Sequence, residues 1–527
     1  MTSSHRRTAI LASVAIAGAL TLAGCSGDDD GPSVSGSADR GIDASQYVDS
    51  YAEQQQDSGT SYSSSSGSAA SAPVTADSSQ LLEGNTFVEH GVSGYVDTGE
   101  DAESTFALDV DTGSFSVART LLAQGVRPPA ASIRVEEWLN SFDYDDPAPE
   151  DGALGVTTET GLRPDAEDGT QLVRVAVGSR AAEEERPRAH VTLVVDRSGS
   201  MDRQDRLGLV KGSLAVLADR LRDDDTVAVV SFDDQATPIL EPTPARDTEA
   251  ILGAVERLQP GGSTNLEAGL RLGYEQARES YDDDAVNVVV LCSDGVANVG
   301  DTMPGSIVDT VAEEGAAGIH LVTVGFGMGN YNDDLMEQLA DQGEGFYSYV
   351  DTFDEAERLF GTELTTTLVP VAAEARAQVR FDPELVSSYR LLGYEDRALD
   401  DEEFEDLGVD AGELGPGHHA TALYEVRLSG GVEPGATIGT AEVRWADPGD
   451  GGAHQASAEV RAATEDSAGP ELELAGAVAD TALLLKGAAY DGASLDEVER
   501  RVSDLVARDV DGADELLTVI RQTRTAS

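Results

Sequence analysis

Between residues 189 and 370 the chain alternates short, near-continuous apolar runs with amphipathic stretches, and few folds accommodate that rhythm. His190–Val195 (His-Val-Thr-Leu-Val-Val) and Thr226–Phe232 are rich in β-branched residues and lack polar alternation, as strands buried on both faces require. Asn287–Leu291 and His320–Phe326 read the same way. Between them, Leu207–Leu221 and Thr248–Leu258 space their apolar residues at helical intervals. The alternation predicts an α/β fold, a doubly wound and mostly parallel sheet with helices on both faces. In such sheets ligands collect outside the carboxyl ends of the strands. The loops that follow each strand are therefore where chemistry is to be sought.

The first strand runs into Asp196-Arg-Ser-Gly-Ser200. Asp196, Ser198 and Ser200 stand at alternate positions of a tight turn, so their oxygens can converge, and Gly199 lets the backbone bend between them. The third strand ends in Cys292-Ser293-Asp294-Gly295, which brings a second carboxylate to the same edge. Gly261-Gly262-Ser263-Thr264-Asn265 opens a helix with a threonine hydroxyl. Two carboxylates and three hydroxyls form an all-oxygen donor set. It suits a hard divalent cation, Mg²⁺ first with Mn²⁺ or Ca²⁺ as alternatives, and suits zinc or copper poorly.

These five residues, Asp196, Ser198, Ser200, Thr264 and Asp294, resemble the metal-ion-dependent adhesion site of von Willebrand factor type A (VWA) and integrin I domains: Asp-x-Ser-x-Ser, then a distant Thr, then a distant Asp. The resemblance implies a Rossmann-like VWA fold. It also implies that Ser198, Ser200 and Thr264 ligate the ion directly and that Asp196 and Asp294 act directly or through water. A carboxylate from an Asp or Glu of a protein partner then displaces a water and completes the coordination. Neutral hydroxyls leave positive charge undischarged, which attracts such an anion.

The flanks carry their own signals. Ser104–Thr112 alternates as a strand, Ser116–Gln124 and Val135–Asn140 read as helices, and Phe142–Pro149 as an extended loop. Asp109 and Asp111 lack the rest of a calcium-loop pattern and read as solvated carboxylates at a strand end. Beyond the last VWA helix, expected over Asp351–Leu368, the segments 369–381, 420–428, 436–445 and 454–461 read as strands and 472–490 and 495–507 as helices. His418 and His419 are neighbours with no third ligand nearby and read as a solvated turn. The run Ser104–Thr112 with Arg134-Val-Glu-Glu137, Asn140 and Phe142-Asp-Tyr144 resembles the N-terminal region of bacterial YfbK-like proteins. Arg390-Leu-Leu-Gly-Tyr-Glu-Asp-Arg397, Asp410-Ala-Gly-Glu413 and Leu423-Tyr-Glu425 resemble the C-terminal domain of that family. The expected layout is a lipoprotein signal peptide over 1–25, a disordered Ser/Gly/Asp-rich tether over 26–84, an α+β VWA-associated region over 85–185, the VWA domain over 186–368, and a β-rich region ending in helices over 369–527.

Met1–Cys25 pairs a positive start (Arg6, Arg7) with an apolar run too short to span a bilayer. It closes on Leu22-Ala23-Gly24-Cys25, which resembles a bacterial lipobox and implies lipidation of Cys25. The protein is then expected at the cell membrane, lipid-anchored and facing the extracytoplasmic side. Ser26–Gln80, with the run Ser63–Ser66, has too little apolar content to fold. Its ends would sit roughly 40 Å apart as a coil. The net charge of −63 excludes nucleic acid as a partner, because phosphate contacts need basic surfaces. Two cysteines make no disulfide framework, and Cys292 at the end of a buried strand reads as a packed thiol. No nucleophile elbow, Walker loop or His-Glu-x-x-His occurs, and no histidine lies in the site loops to serve as a general base. The expectation is a non-enzymatic, metal-dependent binding module for adhesion or complex assembly. An envelope assembly factor acting through the flanks is the alternative, and a metal-dependent hydrolase stands behind both.

Overall fold

Strand β4 decides the architecture, because it belongs to one end of the sequence and is completed by the other. The computed structural model describes residues 40–59, 87–108, 111–149, 151–164, 169–181, 186–294, 305–327, 333–364, 371–395, 397–405, 411–448, 451–464, 468–489 and 493–526. The signal segment with Cys25, the serine run at 63–66 and Asp109 lie outside them. Before the VWA region come β1 (Val96–Asp97), β2 (Glu103–Ala107), β3 (Leu154–Leu162) and β4 (Gln171–Ser179). Within it are β5 (Arg188–Asp196), β6 (Thr226–Phe232), β7 (Ala236–Pro244), β8 (Ala285–Ser293), β9 (Ile319–Phe326) and β10 (Tyr347–Val350). After it follow β11 (Ala372–Phe381), β12 (Val386–Leu392), β13 (Gly412–Leu414), β14 (His419–Leu428), β15 (Thr437–Ala446) and β16 (Ala453–Arg461).

The middle strands form one sheet in the order β10-β9-β8-β5-β6-β7, parallel except where β7 runs against β6. This is the expected doubly wound sheet. The helix Leu209–Arg220 packs on one face, in a cluster with Val191, Leu193 and Val195. The helix Leu266–Ser280 packs on the other with Val194, Val230 and Phe232. β7 and β10 are additions to the sequence reading. Three prolines make β7 a poor interior strand, and it sits at the sheet edge, where a missing N–H is tolerated. β10 has only four residues. Cys292 is fully buried in the core, as expected, and burial raises its thiol well above the ordinary range.

The two flanks, which read as separate regions in the sequence, build shared sheets. One sheet runs β1-β12-β14-β4-β3; the other runs β13-β11-β15-β16, with β2 pairing on β11. β4 from the N-terminal flank pairs along its length with β14 from the C-terminal flank, Gln171 opposite Val426 and Gly178 opposite His419. Every residue of β4 is buried. Val173, Val175 and Val177 face the sandwich core with Phe381, Tyr424 and Val443, and Leu172 faces a helical cluster. That cluster unites Gly113–Ala123 and Val135–Asn140 with Pro470–Lys486, Leu495–Ala507 and Ala513–Thr525. The VWA domain is thus inserted between two strands of one flanking module.

Buried ions tie the module's layers together. Arg163 reaches Glu425 at 2.6 Å and Asp480 at 2.5 Å, all three 3% exposed or less, so none can fall back on water. Arg390 lies 2.7 Å from Glu425, and Arg501 pairs with Asp480. A second set fixes the VWA domain to the module. Glu337, on the VWA helix Asp333–Gln342, accepts from Arg134 (2.6 Å) and from Arg397 (2.7 Å). Asp351 accepts from Arg119 (2.6 Å) and Thr120 (2.8 Å). Glu136 accepts from the Tyr394 backbone N–H, and Asn140 from that of Thr421. Arg134, Glu136, Asn140, Tyr394 and Arg397, which carry the resemblance noted in the sequence, are therefore fasteners between segments.

Three expectations change. Asp111 is not solvated: it is buried, 3.8 Å from Arg397. Part of the tether is ordered: Ser45–Gly59 is a helix, and Ala44, Val48 and Tyr51 pack on the VWA core. Arg40 donates to the Ala218, Asp219 and Leu221 carbonyls at the end of the helix Leu209–Arg220. There it satisfies acceptors that a helix C-terminus leaves open. Sparse apolar residues at Ile42, Ala44, Tyr47, Val48 and Tyr51 suffice because the VWA surface supplies the other half of the interface. His418 and His419 do not form a solvated turn. Both line a cavity of about 410 Å³ at the junction of the VWA domain with the flanking module, with Phe115, Arg119, Tyr144 and Arg358. Burial, then the nearby charge of Arg358, lowers the His418 pKa to about 4.

Replacing Arg163 by Met leaves Glu425 and Asp480 short of a buried cation. Breaking such a pair costs about 3–5 kcal/mol; since Arg390 and Arg501 remain, urea unfolding is expected to show a loss near about 3 kcal/mol. His418 gives a pH signature. Its folded pKa lies below its unfolded value, so between pH 6.5 and about 4 only the unfolded chain takes up the proton, and stability falls as pH falls through that window. The melting temperature of wild type is expected to drop more than that of H418Q between pH 7 and 4.5; parallel curves would contradict a half-buried histidine held neutral.

Candidate functional site

Asp196 ends β5, flanked in the sheet by β6 and β8, and Ser293 ends β8. Parallel pairing therefore brings the Asp196 turn and the Ser293-Asp294 pair to one edge. Asp196 is wholly buried; its carboxylate accepts from the Ser198 backbone N–H and from Ser293 Oγ, both at 2.8 Å. Ser198 Oγ and Ser200 Oγ stand 3.0 Å apart. Asp294 is also buried and accepts from Arg206 at 2.5 Å, while the same Arg206 nitrogen donates to the Ser200 carbonyl at 2.7 Å. The carboxylates thus lie at the floor, with Gly199 and Ser200 toward solvent.

Thr264 reaches this edge through its loop. Gly199 donates its N–H to the Gly262 carbonyl at 3.1 Å, and Gly261 donates to the Arg197 carbonyl at 2.7 Å. Gly262 has φ +81, and a Cβ there would come within 2.8 Å of Asp233, so glycine is required on both counts. Asn265 caps the helix Leu266–Ser280 through its side chain, accepting from the Ala268 N–H at 3.1 Å. That helix lies hard against the sheet: a Cβ at Gly273 would meet Val194 at 2.4 Å. Thr264, buried, is held one residue before the cap.

Electrostatically the floor is loaded. Burial, and secondly the charge of Asp294, pushes the Asp196 carboxyl up to about 7, against hydrogen bonds from Ser198 and Ser293 that pull it down. Two acidic groups in a dry place repel, and a cation would relieve them. Among the described residues no group of three or more His, Cys, Asp or Glu could hold a metal, so any metal chemistry here depends on hydroxyls as well. Ser293 and Arg206 were not singled out in the sequence. Ser293 stands beside Asp294, which is a usable signal; Arg206 has none, because only the fold turns it back toward Asp294.

Residues 190–362 match the von Willebrand factor type A domain pattern, 82–174 match that of von Willebrand factor, and 366–525 match the C-terminal region of the uncharacterized protein YfbK. The uncharacterized protein YfbK of Escherichia coli is 37% identical over 335 residues. The chain resembles YfbK through both its VWA region and its C-terminal region. That alignment takes in 62% of this chain and spans 58% of the relative's length. Rat inter-alpha-trypsin inhibitor heavy chain H3 is 27% identical over 166 residues, 30% of this chain and 18% of that protein. A solved von Willebrand factor type A protein from Catenulispora acidiphila covers 71% of this chain and 90% of its own, at 16% identity and a TM-score of 0.41. No helix among the described residues is long and apolar enough to cross a membrane.

A buried carboxyl with a raised pKa makes its own prediction. The folded pKa of Asp196 lies above its unfolded value, so the folded state binds the extra proton between about pH 4 and 7, and stability falls as pH rises through that range. In EDTA at pH 8, D196N is expected to be more stable than wild type by roughly 2–4 kcal/mol, and the gain should vanish near pH 4. Chemical denaturation at the two pH values measures it.

Proposed function

We propose that this protein is a divalent-cation-dependent protein-binding module, held at the extracytoplasmic face of the cell membrane by a lipid on Cys25. The observation that carries the reading is the convergence of Asp196, Ser198, Ser200 and Asp294 at the carboxyl edge of the sheet, beside the loop that carries Thr264. Those five residues would hold the ion, Mg²⁺ first. Bound there, the metal would supply a positive charge reachable from solvent, to which an Asp or Glu side chain of a partner attaches. The chain's own residues prepare the edge. Ser293 and the Ser198 N–H hold the Asp196 carboxylate in place, and Asn265 caps the helix that follows the Thr264 loop. The donor set favours a binding role, since its three hydroxyls are not bases and its two carboxylates would be committed to holding the ion.

Assembly of an envelope complex is the use we favour within that reading. The support is the insertion of the VWA domain into a module that both flanks build, with Glu337 and Asp351 pinning it. Such a frame presents the metal edge in a fixed attitude. Crosslinking on intact cells followed by affinity capture tests the proposal. Wild type in Mg²⁺ should retain a defined partner that EDTA releases, and T264A should lose it by tenfold or more while keeping its melting profile. Capture that survives both EDTA and T264A would overturn the metal-bridge reading and leave the flanks as the contact surface.

A further inference from the structure

Arg206 places a fixed positive charge at the metal edge, where a divalent ion alone would neutralise the two carboxylates. Its guanidinium lies 2.5 Å from Asp294 and 2.7 Å from the Ser200 carbonyl, with the two side chains 5% and 0% exposed. The chain makes room for it. Gly327 has φ +72, and a Cβ there would fall 2.5 Å from Arg206 Cγ and 2.8 Å from Nε. A side chain threaded past a glycine and hydrogen-bonded at its tip cannot swing away when an ion arrives.

We propose that Arg206 acts as a resident counter-cation that makes metal retention depend on the partner. The inference rests on the metal-binding reading above. With both carboxyls ionised, as at pH 8, Asp196, Asp294 and Arg206 together carry a charge of −1. A divalent ion takes that sum to +1 above a buried floor, where an uncompensated charge is costly. The ion alone is therefore held weakly. An incoming carboxylate returns the site to neutrality, so ion and carboxylate bind tightly together and each raises the affinity for the other by the same factor. Without the guanidinium the floor carries −2, the ion alone neutralises it, and the carboxylate adds less. Arg206 is thus a positioning and affinity-setting residue rather than a ligand.

The test uses the full folded chain, Mn²⁺ as the probe followed by electron paramagnetic resonance, and acetate as the carboxylate at constant ionic strength. The site is counted as the Mn²⁺ binding lost in D196A, which separates it from the acidic surface. In wild type, acetate should raise Mn²⁺ affinity several-fold. R206Q should bind Mn²⁺ about tenfold more tightly without acetate and respond less to acetate, while R206K, which keeps the charge, should behave as wild type. Acetate-independent Mn²⁺ binding in wild type would overturn the proposal with no variant needed. So would R206Q binding no tighter than wild type, or R206K binding as tightly as R206Q. Absence of D196A-sensitive Mn²⁺ binding in every protein, with or without acetate, would instead overturn the metal-site reading on which the proposal rests.

Discussion

The pairing of β4 with β14 is the contact on which the rest of this structure depends. A strand buried at all nine positions cannot leave its backbone groups unpaired, and its local neighbour β3 satisfies only one edge. The other edge is met by residues about 250 positions later in the chain. Once that ladder forms, the two flanks are one module, and the whole VWA domain becomes an excursion between its strands. The loop-closure cost of such a long excursion grows only slowly with length. A large prefolded insertion is therefore thermodynamically tolerable, provided that its two ends leave and return close together.

The same logic explains why charge is buried so freely at the seams. Arg163, Glu425 and Asp480 lie between strands and helices from opposite ends of the sequence, and Glu337 lies between two arginines from opposite flanks. Buried ion pairs add little net stability but are expensive to break singly. They are poor glue and good registration marks. Placed where distant segments must meet, they reject misaligned arrangements that a purely apolar seam would tolerate.

The sheet at the centre was legible because buried parallel strands announce themselves as apolar runs, and the ends of those runs located Asp196 and Asp294 directly. β7 was not legible, because its prolines argue against a strand unless one knows that it lies at an edge. β3 and β4 escaped for a different reason: the long-range pairing that stabilises them has no local signature. The ordered helix at 45–59 was hidden by its composition, since its few apolar residues make sense only against the surface they cover. Arg206 shows the limit most clearly. Nothing in its sequence surroundings separates it from a solvated arginine, and its meaning comes from the carboxylate the fold sets against it.

The docked segment around Arg40 and Tyr51 has a mechanical consequence. It runs beside the helix Leu209–Arg220, with Arg40 at that helix's last carbonyls and Tyr51 Oη 2.9 Å from Asp202, two residues past Ser200. A pull applied through the residues that precede it does not act first on the sheet. It loads a peelable clasp, fastened at one end by the arginine's hydrogen bonds and at the other beside the turn that carries the candidate ligands. Tension from the amino-terminal side is thus delivered to the edge where a partner would be held, before any strand is disturbed.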